Sequence, residues 1–240
     1  MTPYYDDGTC VIYHGDCREI LPSLGAVDLV ITSPPYNLGD MTGGLANLDG
    51  GYDVHADRLA ADEYDEWQRD ILRELWRLTS PRGGIFYNHK PVIRDRVANL
   101  PTRLVPPECA LRQIIIWHRG IGVNWSPSHF LPVHEWLLFI AHHDFVLRDK
   151  TASHASDVWK FPPELSASEH PAPFPVGLPA RVLASVDVRT VLDPFLGSGT
   201  TLRAAKDAGV RGIGIELSER YCEIAARRLA QEVLDFGGAA

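Results

Sequence analysis

Strands alternating with helices along nearly the whole of this 240-residue chain predict an α/β protein built on one doubly wound, mostly parallel sheet. Two further observations support that fold. A β-branched run, Val27-Asp28-Leu29-Val30-Ile31, stops at Thr32-Ser33-Pro34-Pro35-Tyr36-Asn37, and a second apolar strand runs through Asp193-Pro194-Phe195-Leu196-Gly197-Ser198-Gly199 into a helix. Stiff or glycine-rich turns at the carboxyl ends of strands are where open α/β sheets bind ligands. With 45% hydrophobic residues the chain can bury a sizeable core, and it is expected to form a single domain over residues 1–240.

The elements follow in order. Cys10 to Tyr13 is a short strand ending at His14-Gly15-Asp16, Cys17 to Leu24 a helical turn, and Val27 to Ile31 the returning strand, which together make a compact βαβ start. Neither Pro34 nor Pro35 can donate to a sheet ladder, so the strand must end in a rigid turn. Gly39, Gly43, Gly44, Gly50 and Gly51 mark residues 38–60 as a mobile loop placed to act as a lid. Tyr64, Trp67, Ile71, Leu75 and Leu78 fall at steps of 3, 4, 4 and 3, the spacing of an amphipathic helix that ends before Pro81. Ile85-Phe86-Tyr87 is a strand, and Pro91 to Asn99 is expected to be a helix. Strands over Gln113–Trp117 and Glu135–Ile140 flank a loop from Gly120 to Pro132, and Thr151 to Pro175, rich in Pro, Ser and His, is expected to be an irregular surface excursion. A helix over Val176–Val186, a strand over Thr190–Leu192, a helix over Gly199–Ala208, a strand over Gly212–Ile215 and a closing helix over Ser218–Leu234 complete the chain, which shows no internal repeat.

Composition narrows the function classes. No stretch approaches the roughly 18 apolar residues that span a bilayer, and the N-terminus lacks the basic and apolar segments of a signal peptide, so a cytoplasmic protein without membrane contact is expected. Cys10, Cys17, Cys109 and Cys222 show no CxxC spacing, which disfavours zinc and disulfides and leaves them as reduced core fillers. His142 and His143, adjacent on an expected strand, would point to opposite faces, and no metal site is expected. The net charge of −8 argues against nucleic acid, yet residues 81–160 carry ten Lys and Arg against six Asp and Glu, so the middle of the chain is its basic part.

The two turns carry the chemistry. Ser33 and Tyr36 offer a polar acceptor and an aromatic face on a stiff backbone, which suits a flat, nitrogen-bearing ring; the hexapeptide alone is equally an ordinary strand exit with a surface tyrosine. The second turn lets backbone approach a ligand and points helix amides at negative charge. It lacks the lysine of a phosphate loop, and its dinucleotide fingerprint is incomplete. Glu216, seventeen residues beyond Gly199 and at the end of the next strand, can accept both hydroxyls of a ribose, or cap the helix that begins at Ser218. Glycines, spacing and acid together favour an adenosine-containing cofactor.

Ser33-Pro34-Pro35-Tyr36 and Phe195-Leu196-Gly197-Ser198-Gly199, in that order and about 160 residues apart, resemble the two main motifs of the DNA amino-methyltransferases that use S-adenosylmethionine, in the order of their β group. The resemblance spans roughly residues 10 to 230. It implies a Rossmann-like methyltransferase fold, and transfer of a methyl group to the exocyclic amine of a flipped-out cytosine (N4) or adenine (N6). It gives Ser33, Pro34, Pro35 and Tyr36 the catalytic role, the first through its hydroxyl and Pro34 through its carbonyl. Asp16, in the motif Gly15-Asp16, and Cys17 lie on the adenine side of the cofactor. Asp193, Phe195, Gly197, Ser198, Gly199, Thr200 and Thr201 form the cofactor turn, and Glu216 is the ribose acid. His170-Pro171-Ala172-Pro173-Phe174-Pro175 resembles the segment leading into the first cofactor-side helix. It departs at Phe174, where many relatives have lysine, and this leaves amides and hydroxyls at Thr200 and Thr201 to hold the methionine carboxylate.

A short target-recognition region is expected over residues 145–169, with DNA as substrate and Arg94, Arg96, Arg119, Arg148 and Lys150 as candidate phosphate contacts. The resemblance allows a cognate restriction endonuclease as a further partner, with a solitary or phage-borne enzyme left open, and the chain is expected to be monomeric or homodimeric. A serine at the first motif position, more frequent among relatives acting on cytosine, leans the reading to N4 of cytosine over N6 of adenine. RNA or protein methyltransferases usually carry Asn in the tetrapeptide and the opposite motif order. A non-catalytic nucleic-acid binder would not need both motifs intact.

Overall fold

The computed structural model describes residues 2–38, 59–122, 124, 126–163 and 174–231. In chain order these form β1 (Tyr5–Asp6), β2 (Cys10–His14), α1 (Cys17–Ile20), β3 (Val27–Thr32), α2 (Ala61–Leu78), β4 (Thr79–His89), β5 (Val92–Arg94), β6 (Val97–Asn99), β7 (Leu111–His118), β8 (His134–Ala141), α3 (Lys150–Ser153), β9 (Val158–Lys160), α4 (Gly177–Ala184), β10 (Thr190–Asp193), α5 (Thr200–Asp207), β11 (Arg211–Glu216) and α6 (Glu219–Ala230). The main sheet has nine strands in the order β1-β2-β11-β10-β3-β4-β8-β7-β9. Strands β2, β11, β10, β3 and β4 are mutually parallel, β8 is antiparallel to β4 and β7, and β9 is parallel to β7.

Local chemistry accounts for the helices. Asp16 caps α1 by accepting from the Arg18 amide, and Ser218 caps α6 by accepting from Tyr221. Helix α2 buries Tyr64, Ile71, Leu72, Leu75 and Leu78 on one stripe and ends where the Thr79 hydroxyl donates to the Leu75 carbonyl. That stripe packs with Ile20, Leu21, Ile85 and Leu138 on one face of the sheet. On the other, α4 contributes Leu178 and Val182 against Leu29, Phe86, Phe139 and Trp159. Each fully buried aliphatic side chain of this kind contributes roughly 1.5–3 kcal/mol relative to exposure. All four cysteines are free and buried in these layers, as expected of core fillers, and burial pushes the Cys17 and Cys222 thiols up to about 12.

Three expectations are corrected. Residues 91–99 are not a helix but a β-hairpin, in which β5 pairs with β6 across Asp95 and Arg96. Both turn residues take positive φ (50° and 64°), and β-branched Val92, Ile93 and Val97 flank them, so a two-residue hairpin turn overrides the helix start suggested by Pro91. The stretch Thr151–Pro175 contains ordered structure: its start continues α3, and β9 adds a strand to the sheet with Trp159 buried. A three-residue strand is too short to leave a periodicity. His142 and His143 follow β8 instead of lying on it; His142 stacks on Trp76 at 3.6 Å between ring centroids, and His143 is exposed beside Asp144. The expected loop over 38–60 falls almost wholly outside the described residues.

The order of the strands reverses between β10 and β3. From β3 the chain continues to β4 on one side, and from β10 to β11 on the other. The carboxyl ends of these neighbours therefore bound the crevice at the topological switch point. The Pro-Pro turn leaves β3 there, and the glycine turn leaves β10.

Candidate active site

The Pro-Pro turn is held by side chains from three other segments. Ser33 Oγ lies 2.9 Å from the Tyr36 hydroxyl, which donates to Glu135 Oε2 at 3.0 Å. Asn88 Nδ2 reaches Glu135 Oε2 at 2.9 Å, the Tyr36 hydroxyl at 2.6 Å and Ser33 Oγ at 3.3 Å. Glu135 is only 6% exposed, and its second oxygen pairs with Arg119 at 3.1 Å. Behind Tyr36 stands His89, 4.5 Å away between ring centroids. Burial pushes the His89 imidazole down to about 3, so it is neutral. Its Nδ1 faces the Lys90 carbonyl at 2.9 Å, which can only accept, so Nδ1 carries the proton and Nε2 is left as an unprotonated acceptor facing the Tyr64 hydroxyl at 2.8 Å. That hydroxyl also lies 2.8 Å from the Pro35 carbonyl.

Asn37 closes the turn in the left-handed region, with φ of 54°. Its side chain donates to the Leu59 carbonyl at 2.9 Å and accepts from the Leu59 amide at 2.7 Å, while the Arg94 guanidinium donates to the Asn37 main-chain carbonyl.

The glycine turn is held mostly through backbone. The Leu196 amide donates to the Ile215 carbonyl, and the Gly199 amide to the Leu196 carbonyl, each at 3.0 Å. Gly197 and Gly199 take φ of 52° and 83°, and a Cβ on Gly199 would stand 2.9 Å from that of Ala225. Glu216 accepts from the amides of Gly197 at 2.8 Å and Ser218 at 2.9 Å, so it orders this turn and braces the start of α6. Burial raises its carboxyl above the usual range. The Gly15 amide donates to the Glu216 carbonyl at 2.9 Å, which sets Asp16 beside it at the same sheet edge.

Asp193 joins the two turns. Its Oδ1 accepts from the Thr32 hydroxyl at 2.7 Å, at the residue before Ser33, and from the Phe195 amide at 3.1 Å. Its Oδ2 is buried without a close hydrogen-bond partner among the described residues, the neighbouring Thr201 hydroxyl donating to the Ile31 carbonyl instead, and burial pushes the carboxyl up to about 6. A buried, half-satisfied carboxylate beside a glycine cradle suits a ligand that carries positive charge.

Ser33 to Tyr36, Asp16, Asp193, Phe195 to Thr200 and Glu216 thus converge on one edge. Two side chains turn away. Cys17 packs into the core beside Ile20, and Thr201 is fully buried with its hydroxyl donating to the Ile31 carbonyl at 3.3 Å. Thr200 accepts from Arg228 at 3.2 Å. Among the expected phosphate contacts, Arg94 is bound to the Asn37 carbonyl, Arg119 is committed to Glu135 and Arg148 to Asp187. Residues 145–157 lie at the opposite sheet edge, because β8 ends and β9 begins there, and Phe145 is core. The part of the expected target-recognition region that returns to the site edge begins after Lys160, and residues 164–169 lie outside the described residues. Asn88, His89 and Glu135 escaped the sequence reading as site residues, and Tyr64 enters it only as part of the buried face of α2. The available signal was polar residues at otherwise buried strand ends.

The chain is similar to known proteins both in sequence and in fold. The family profile described as DNA methylase, of the N6/N4 type, matches residues 27–227. Type II methyltransferase M.ScaI of Streptomyces caespitosus is 30% identical over 96% of this chain and 84% of its own length. Type II methyltransferase M.BglII of Bacillus subtilis is 28% identical over 92% and 69%. Among solved structures, the cytosine-N4-specific PvuII DNA methyltransferase shares the fold with a TM-score of 0.77 at 19% identity, covering 96% of this chain and 89% of that one. A putative DNA modification methylase from Thermus thermophilus, complexed with S-adenosyl-L-methionine, superposes with a TM-score of 0.62 at 26% identity, over 94% and 95%.

Proposed function

The chain belongs to the N6/N4 family of DNA methylases, and from that premise we propose that it methylates N4 of a cytosine presented to Ser33 and Tyr36, with S-adenosyl-L-methionine as the methyl donor. The observation that carries this reading is the junction of the Pro-Pro turn and the glycine turn on adjacent strands, tied by the Thr32–Asp193 hydrogen bond. Support for the donor comes from the glycine cradle, the half-satisfied Asp193 and the Thermus relative solved with S-adenosyl-L-methionine. Support for cytosine comes from a neutral serine where adenine-directed relatives more often carry aspartate. The type II designation of the relatives supports a cognate restriction endonuclease as partner.

S-adenosyl-L-methionine supplies a methyl group on a sulfonium, whose positive charge disappears on transfer. Glu216 is suited to the ribose hydroxyls, Asp16 to the adenine side, the amides of Ser198 and Thr200 to the methionine carboxylate, and Asp193 to the positive charge. The exocyclic amine is a poor nucleophile because its lone pair is delocalised into the ring. Ser33 Oγ and the Pro34 carbonyl, by accepting its two N–H groups, favour a pyramidal nitrogen with the lone pair directed at the methyl. Tyr36, backed by His89, stacks on the base, a contact worth about 1–3 kcal/mol. Such a base has first to leave the duplex stack. The hairpin β5–β6 with Arg94 and Arg96, and the loop from Arg119 to Val133, which holds no acidic residue and exposes 98% of Phe130, stand at the edge that DNA would approach.

Incubation with unmethylated plasmid DNA and labelled cofactor, digestion to nucleosides and identification by mass tests the reading. N4-methylcytosine is expected; N6-methyladenine would move the target base, and no labelled nucleoside would overturn the assignment.

A further inference from the structure

We propose that Glu135 is a positioning residue which, acting through Tyr36, fixes the direction of the Ser33 hydroxyl so that the site accepts an amino group and rejects a carbonyl in the same place. The inference rests on the reading that Ser33 Oγ meets the exocyclic amine.

The proton positions follow from counting donors. Glu135 carries Arg119 on Oε1 at 3.1 Å and the Asn88 amide on Oε2 at 2.9 Å, so the buried carboxylate is an acceptor toward both. The Tyr36 hydroxyl, 3.0 Å from Oε2, must therefore donate to it. A phenol has one proton, and that proton is now committed. The 2.9 Å contact between Ser33 and Tyr36 then has a hydrogen only if Ser33 donates. Asn88 Nδ2 brings two hydrogens to three oxygens, those of Glu135, Tyr36 and Ser33, and can accept from none. One consistent chain remains: Ser33 O–H to Tyr36 O–H to Glu135, held in place by Asn88 and Arg119.

A serine hydroxyl alone is indifferent, since it can rotate to donate or to accept. Next to an ionised carboxylate two bonds away it is not. Its proton is held toward Tyr36 and a lone pair is left for the base, and chains of this kind reinforce one another in a low dielectric. An N–H of cytosine or adenine finds an acceptor there. The carbonyl of uracil or hypoxanthine would meet oxygen with oxygen, leaving buried acceptors unpaired, the arrangement by which polar sites discriminate most strongly. The carboxylate that other members of the family carry at the first motif position is thus replaced by one 102 residues away in the sequence, reached through a phenol.

The test uses the full chain with unmethylated plasmid DNA, saturating cofactor, and the variants Glu135→Gln, Tyr36→Phe and their combination. Each single change is expected to lower kcat by about thirtyfold, the loss of a hydrogen bond to a charged group, with cofactor affinity measured without DNA changed less than about twofold. The double variant should be no slower than the slower single one, because either change cuts the same chain. Losses that multiply would show Glu135 and Tyr36 acting separately and overturn the proposal.

A second arm uses a duplex with the methylated sequence in which the target base is replaced by its carbonyl counterpart, uracil or hypoxanthine. Wild type should bind it about tenfold more weakly than the parent duplex, and both Glu135→Gln and Tyr36→Phe should narrow that gap to about threefold or less. An unchanged gap in Tyr36→Phe overturns the proposal even if Glu135→Gln fails to fold. Ser33→Ala separates the two levels of argument. If it leaves kcat intact, the site assignment itself fails. If it abolishes kcat while the chain variants behave independently, only the inference fails.

Discussion

The turns after β3 and β10 are neighbours of similar size, yet they are built from opposite materials. The first is stiffened by two prolines and presents side chains, whose orientation depends on Asn88, His89, Glu135 and Arg119 arriving from β4, β8 and the end of β7. The second is loosened by glycines and presents backbone amides, ordered by carbonyls and by Glu216. The difference separates how each can fail. Chemistry at the first turn is removable without disturbing packing, whereas the second turn combines ligand binding with close approach of main chain and so fails by steric conflict as well.

The largest effect is expected from Ser33→Ala, which should cut the transfer rate by about a hundred- to a thousandfold, as loss of a polar group aimed at the reacting atoms does. Cofactor titration of the same variant should change by less than about twofold; comparable losses in both would erase the division between the turns. Glu216→Ala is next, with cofactor affinity weakened by roughly thirtyfold for the loss of charge-assisted contacts, measured by calorimetry. Unchanged affinity would place the ribose elsewhere. Gly199→Ala forces a side chain into positive φ and against Ala225, and should lower unfolding stability by about 2 kcal/mol, read from the denaturant midpoint; Ser33→Ala should leave that midpoint nearly unmoved.

The smallest effect is a pH dependence. Asp193, raised from 3.8 to about 6, holds its proton in the unliganded protein until the pH passes that value, while a bound cation favours the ionised form. Cofactor affinity should therefore rise by roughly tenfold between pH 5 and pH 7, then level off. Asp193→Asn should flatten the curve.

The two turns were legible because proline and glycine constrain the backbone by themselves, and a strand running into either announces its own end. The place of Glu216, at the end of the strand beside the glycine turn, was legible by spacing. What supports the first turn was not. Glu135 and Asn88 sit in strands whose neighbours are apolar, and their meaning comes from pairing across β4 and β8, a relation that no local pattern records. The hairpin at 92–99 was missed because its turn residues, Asp95 and Arg96, adopt positive φ without being glycine or asparagine. Strand β9 was missed because it exists by pairing with β7. Residues 145–157, the first half of the region expected to recognise the target, reach the sheet edge away from the two turns for the same reason, since which edge a segment reaches depends on strand direction.

The double hydrogen bond between Asn37 and Leu59 fixes where the chain departs from the active site and where it returns. A segment clasped at both ends can be exchanged or lengthened with little penalty to the rest of the fold, since each doubling of its length costs only about 0.6 kcal/mol in closure entropy. The clasp makes residues 38–58 a natural cassette position, since new sequence there would begin and end beside the Pro-Pro turn while Ser33 and Tyr36 keep their places.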